Sequence, residues 1–375
     1  MVNIIKRKYN LSSLCSLLLT NRARSRLCLH GHDRASEETK GLIPRGLPRK
    51  AAVGGGCRAR QLCCRCPAVL YLLFIICSLS CSLGGDLDAW MDKALVANAL
   101  PIEMVWVPGG SFELGKNLGT GGGSDITPVS TVTLTGFHIG KFPVTQAEYM
   151  AVTETNPGSD SYASAGDIKL RRPVSRVSWY EAIVFCNKLS MLEGLSPAYL
   201  INGSTNPSNW GTVPHESYRD FESDTGLWDA VVIVPGSTGY RLLTEAQWEY
   251  AAKGGNGSPG NFTFAGSDDP DEVAWYRNNT NRIREVGLKT SNGLGIYDMS
   301  GNVFEWCWDW RANYTSDVET DPAGPASGNQ RVRRGGSYDS SLNDDSWSSS
   351  PRSVSRSGET PHRNRWETGF RVARP

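Results

Sequence analysis

Three times in this chain a hydroxyl side chain stands three residues ahead of a Glu or Gln. The stretches are Thr145-Gln-Ala-Glu148, Ser178-Trp-Tyr-Glu181 and Thr244-Glu-Ala-Gln247. Each reads as a capping box, in which two otherwise unpaired N–H groups at a helix start are satisfied reciprocally. The helices that follow are short. Ala182, Phe185, Cys186 and Leu189 carry helical spacing after the second box, and Trp248, Ala251 and Ala252 after the third, where Gly254-Gly255 stops the run. Between the helix starts lie long Gly/Ser/Asn/Asp stretches at 116–129, 202–238 and 253–272, loops of a length that usually carries function or mobility. Residues 102–115 alternate apolar with polar and break at Pro108-Gly109-Gly110, which predicts a hairpin, and the β-branched stretch 130–145 predicts a further strand. The pattern predicts one α+β domain of short strands, short helices and much irregular surface; 40 Gly and 12 Trp favour it over a helical bundle.

The net charge of +1 conceals two opposite halves. Residues 1–81 hold 14 Lys/Arg against 3 Asp/Glu, and the remainder holds 25 against 35. An acidic body argues against nucleic acid as its partner, because phosphate binding needs a basic face. Eight of the ten cysteines lie at or before Cys81, so Cys186 and Cys307 read as buried small hydrophobes, a disulfide between them being the less favoured alternative. No zinc-spaced His/Cys cluster occurs in the body of the chain.

The stretch "RARQLCCRCPAVLYLLFIICSLSCSLGG" has Arg58, Arg60 and Arg65, then the apolar run 68–79, then Leu79-Ser80-Cys81. Positive charge followed by about a dozen apolar residues is secretory signal organisation, too short for a confident bilayer span. Leu-Ser-Cys resembles a bacterial lipobox, so Cys81 is expected to carry lipid and to begin the mature protein. The alternative is a short anchor helix, or a buried helix with an accidental cysteine. On this reading 1–81 is a leader, 82–101 a tether with helical character, and 102–375 the folded domain. The protein is then expected in the bacterial cell envelope, held to the membrane by lipid and displayed at the cell surface.

From 102 onward the blocks "MVWVPGGSFELG", "FHIGKFPVTQAEYMAV", "PVSRVSWYEAIVFCNKLS", "YRLLTEAQWEYAAKGG", "VGLKTSNGLGIYDMSGNVFEWCWDW", "RVRRGGSY" and "GFRVARP" follow in order. Together they resemble the signature blocks of the formylglycine-generating enzyme (sulfatase-modifying factor) family. The resemblance implies a variant of the C-type lectin fold with a ligand-facing surface built from C-terminal loops. Within block 292–310 the tryptophans read as an aromatic core strand with its acidic residues on the other face. The resemblance also implies a structural calcium ion. Asp298 and Glu305 side chains with the carbonyls of Gly301 and Val303 are the expected ligands, hard oxygens from one tight loop.

Catalytic members of the family oxidise a substrate cysteine with a copper-binding cysteine pair placed just after the Gly-Gly-Ser-Tyr motif. Counting forward from Gly335 puts that pair at Ser340 and Asp345; counting back from Pro361 puts it at Asn343 and Ser348. No cysteine follows Cys307 in either register. Ser, Asp and Asn do not bind soft Cu(I), so no copper and no formylglycine synthesis are expected. His138, His215 and His362 are scattered without a facial-triad pattern. The frame nonetheless persists at Arg334-Gly-Gly-Ser, Arg356, Pro361 and Gly369-Phe-Arg371. Between its members lie Tyr338, Asp339, Ser340, Ser341, Asn343, Asp344, Asp345, Trp347, Ser349, Ser350, Ser357, Glu359, His362, Asn364, Trp366 and Glu367. Aromatic anchors among adaptable polar groups on a rigid scaffold resemble a paratope. The arrangement is similar to the variable proteins of diversity-generating retroelements, which implies a variable segment, 338–367, binding a protein or other macromolecule. The alternative is an oxidoreductase-like member or pseudoenzyme of the same family.

Overall fold

In this computed structural model the described residues are 84–116, 126–158, 167–214, 226–256, 262–342 and 350–375. The chain divides into Met1–Asp88 and Ala89–Pro375. Of the first unit only the opening of the helix Gly84–Ala97 is described. Cys81 and the apolar run before it lie outside the described residues. No helix among the described residues is long and apolar enough to cross a membrane.

The second unit begins with the rest of that helix and continues into a ribbon. Strands Met104–Val107 and Gly110–Leu114 do not fold back on each other, contrary to the expected hairpin. The first pairs antiparallel with Phe137–Gly140 and the second with Ser130–Leu134, Val107 facing Phe137 and Gly110 facing Leu134. The register is therefore continuous, and Pro108-Gly109 lies opposite Thr135-Gly136. Both strands break at one level, which bends the ribbon without ending it. A Cβ on Gly109 would stand 2.6 Å from the Leu134 carbonyl oxygen, so glycine allows the close approach. Each half of the ribbon then enters a different sheet. One sheet has the order Met104–Val107, Phe137–Gly140, Val372–Arg374, Arg241–Leu242; the other has Val318–Thr320, Ser130–Leu134, Gly110–Leu114.

A third sheet positions the C-terminal segment. Its order is Arg356–Glu359, Arg331–Arg334, Phe304–Trp310, Thr368–Phe370, with the last pair parallel. Strand Phe304–Trp310 is central and covered on both faces. Trp306 joins the apolar cluster around helix Trp179–Leu192, and Cys307 joins the cluster around helix Glu245–Ala252. The acidic residues of this strand therefore do not face solvent: Glu305 and Asp309 are both buried. Alternation along a strand reveals two faces, and a second covered face invites charge only where partners exist. The neighbouring Arg331 is likewise buried, its guanidinium 3.5 Å from the Trp310 ring centre and 3.8 Å from that of Trp179. Burial pushes its pKa down to about 9.

All three capping boxes form, at Thr145 before Gln146–Thr153, at Ser178 before Trp179–Leu192 and at Thr244 before Glu245–Ala252. Each is worth about 1 kcal/mol to its helix. Cys186 and Cys307 are free and buried, as small hydrophobes. The architecture is α+β with short elements, as the sequence pattern predicts.

Candidate ligand-binding site

The frame around the C-terminal segment is fastened from below by one helix. Glu249 binds Arg334, and Glu245 accepts both Nε and Nη2 of Arg356, at 2.8 and 2.5 Å. Arg334 also donates to the carbonyls of Ser353 at 3.0 Å and Val354 at 3.1 Å. Burial opposes the charge on Glu249, but Lys253 and Arg334 hold its carboxyl below the ordinary range. Gly336 has φ +69°, and a Cβ there would stand 2.8 Å from Pro351, so the motif needs glycine where the two ends of the segment meet.

Of the expected ligand-binding residues, Asn343, Asp344, Asp345, Trp347 and Ser349 lie outside the described residues. The others divide by burial. Ser340 and Ser350 are buried, which corrects their place on a binding surface. The Ser340 hydroxyl accepts the Ser337 N–H at 2.8 Å and so closes a turn. Ser341, Ser357, Glu359, His362 and Asn364 are half-buried. Glu359 fastens its own turn: burial opposes its charge, but bonds from the Arg365 side chain, at 2.8 Å, and the Thr360 N–H hold its pKa below the ordinary range. Ser357 lies on the edge strand, opposite Arg333.

The remaining four come together. Tyr338 and Asp339 from one turn, and Trp366 and Glu367 from another, line one groove of about 370 Å³. Its other wall is Gln146, Arg172, Ser175, Asn281, Arg282 and Ile283. Trp366 is 49% exposed, and the Arg176 guanidinium lies 4.1 Å from its ring centre. Arg176 has φ +59°, a conformation uncommon for a long side chain, and its N–H donates to the Arg365 carbonyl at 3.1 Å. That contact ties the aromatic turn to the segment preceding helix Trp179–Leu192. At the rim Asp339 pairs with Arg277 at 3.2 Å and Glu367 with Arg333 at 3.6 Å. Arg172 is 3% exposed, and burial, ahead of its neighbouring charges, lowers its pKa. The far wall was not legible in the sequence. Arg172 sits in an Arg-Arg-Pro doublet with no periodicity, and residues 281–283 are some sixty positions from Tyr338.

The expected calcium ligands meet protein donors instead. Glu305 Oε1 accepts Arg371 Nη2 at 2.8 Å, and Oε2 accepts Arg371 Nε at 3.1 Å and Trp248 Nε1 at 2.8 Å. Asp298 accepts the Gly287 N–H at 2.8 Å and Asn302 Nδ2 at 3.2 Å. Burial raises the Asp298 pKa to about 6 against those hydrogen bonds. All four carboxylate oxygens are engaged, and the guanidinium of the Gly-Phe-Arg motif already neutralises Glu305. Asp298 and Glu305 as placed therefore offer no free carboxylate oxygen to a calcium ion at Gly301 and Val303. Among the described residues no group of three or more His, Cys, Asp or Glu side chains is arranged to hold a metal.

Comparisons with known proteins agree with this architecture. Treponema denticola variable protein 1 superposes with a TM-score of 0.62 at 34% identity, covering 72% of this chain and 95% of its own. A protein from Paenibacillus barcinonensis named chaperone protein LppX is 40% identical over 260 residues, 64% of this chain and 80% of its own length. The formylglycine-generating enzyme of Streptomyces coelicolor is 30% identical over 294 residues, 72% of this chain and 88% of its own. Residues 94–375 match the sulfatase-modifying factor enzyme 1-like domain, and the chain belongs to that family.

Proposed function

We propose that this protein is a non-catalytic binder, a lipid-anchored envelope protein displayed at the bacterial surface that holds a macromolecular ligand on its C-terminal segment. One observation carries the reading. Tyr338, Asp339, Trp366 and Glu367 come from two separate turns, yet they line a single groove on a frame fastened elsewhere. An amphipathic aromatic flanked by adaptable polar groups is what interface anchors look like. Likeness to a variable protein supports the reading, as does likeness to a protein named a chaperone. The absence of cysteine after Cys307 removes the thiolate pair that formylglycine synthesis by the copper mechanism requires.

The reading includes diversification by a retroelement, and the coding DNA tests that part. Independent isolates should differ at codons for exposed residues within 338–367 while Arg334, Arg356, Gly369 and Arg371 stay fixed. A downstream near-copy of this segment should differ from it only at template adenines. Variation spread evenly along the gene would sink the diversified reading. The binder itself is tested on the protein: a Tyr338→Ala/Trp366→Ala variant should lose its ligand while keeping the melting temperature to within a few degrees, since neither side chain belongs to either apolar cluster. Unfolding of that variant would make the two aromatics core residues. Formation of an aldehyde on a cysteine-containing peptide by the wild type would overturn the non-catalytic reading.

A further inference from the structure

Arg172 lines the groove with its charge near Asp167 but with N–H groups that are poorly met. Its Nε lies 3.7 Å from Asp167 Oδ2, beyond hydrogen-bond range, and neither Nε nor Nη2 has a hydrogen-bond partner among the described residues. Asp167 is committed elsewhere, because Arg284 Nε and Nη2 donate to its two oxygens at 3.2 Å each. Glu285 is committed too: it accepts the Ile168 N–H and stands 3.6 Å from Arg171. The rim carboxylates Asp339 and Glu367 face Arg277 and Arg333. A guanidinium this buried with two unmatched donors is destabilising unless something completes it.

We infer that the groove takes a carboxylate of the ligand on Arg172, an Asp or Glu side chain or a chain terminus, with the apolar stem of that residue against Ile283 and Trp366. The inference rests on reading the groove as the binding surface. A planar guanidinium matches a planar carboxylate with paired N–H groups. One guanidinium short of partners is matched in charge by a carboxylate monoanion and exceeded by a phosphate dianion.

The test uses the full-length chain and a phage-displayed library of random peptides. It is panned in parallel on the wild type and on Trp366→Ala, Arg172→Gln and Arg172→Lys variants, each checked for its melting transition. Peptides retained by the wild type and lost by Trp366→Ala should be enriched in Asp and Glu or end in a free carboxylate. They should lose binding to Arg172→Gln and weaken about tenfold or more on Arg172→Lys, which keeps the charge but not the fork. Should Arg172→Gln fail to fold, the Lys variant decides alone: undiminished binding overturns the inference. Peptides that depend on Trp366 but show neither acidic enrichment nor sensitivity to Arg172 would overturn the carboxylate subsite and leave the groove reading standing. If no peptide distinguishes the wild type from Trp366→Ala, the groove reading falls, and the subsite with it. Competition of the retained peptides by inorganic phosphate but not by N-acetylglutamate would mark a phosphate site and refute the carboxylate.

Discussion

Asp309 is a carboxyl group enclosed at 5% exposure, and burial, with the charge of Glu245 beside it, pushes its pKa up to about 7. Its Oδ2 accepts the Glu245 N–H at 2.7 Å, which lowers the pKa but not enough to offset desolvation. A carboxyl raised in the folded state binds its proton more tightly there than in the unfolded chain. Its stabilising contribution is full below the unfolded pKa near 4 and is lost as pH climbs through about 7. Asp309→Asn keeps an acceptor for the Glu245 N–H and removes the titration. Relative to the wild type, the variant should gain stability steadily from pH 4 to pH 7 and level off above, by an amount on the order of a few kcal/mol. Urea unfolding at pH 4 and pH 8 measures this, and the same pH dependence in both proteins would refute it. The sequence could not have announced such a residue. Alternation marked Asp309 as opposite the tryptophans of its strand, but whether the opposite face meets water depends on a helix sixty residues earlier.

At the scale of elements, the capping signals read true, but the hairpin expected over 102–115 and the single strand expected over 130–145 did not: the latter is two strands, Ser130–Leu134 and Phe137–Gly140, in different sheets. A capping box is decided within four residues, so Thr145, Ser178 and Thr244 were legible from the chain alone. The frame of the C-terminal segment was legible for the same reason, through its glycines and its regularly placed arginines. The bend at Pro108-Gly109 was misread as a turn because only the partner strand, broken at the matching level, shows that pairing continues. The calcium loop is the consequential case. The residues implied as ligands are present, but Arg371 arrives from the last turn of the chain to occupy both oxygens of Glu305. Glu305→Gln should therefore destabilise the fold equally with calcium or with chelator, by roughly 3–5 kcal/mol, because it leaves the buried Arg371 charge uncompensated. Chelator should leave the wild-type melting temperature unchanged. A calcium-dependent rise in that temperature would show that a cation displaces Arg371 and restore the loop as a metal site.

The whole molecule is organised by a charge division that coincides with a proposed cut. Residues 1–81 hold 14 basic against 3 acidic side chains, while the part beyond holds 25 against 35. A leader with positive charge ahead of an apolar run is what a secretory pathway engages, and an acidic domain is what would then be released on the far side. A single lipidated cysteine at position 81 would keep that domain at the membrane, with Tyr338 and Trp366 of the groove more than 250 residues further along the chain. The proposed cut changes a near-neutral chain of net charge +1 into one of about −10, so processing is visible as charge as well as mass. Intact-mass analysis of the membrane fraction should find a chain beginning at Cys81 and carrying lipid, focusing at acidic pH. Cys81→Ala should leave the protein unprocessed or released from the membrane, with the melting temperature of the domain unchanged, since Cys81 precedes every strand and helix described. A membrane-bound wild-type chain that retains residues ahead of Cys81 without lipid would defeat the anchor and leave the binding groove to be explained in some other compartment.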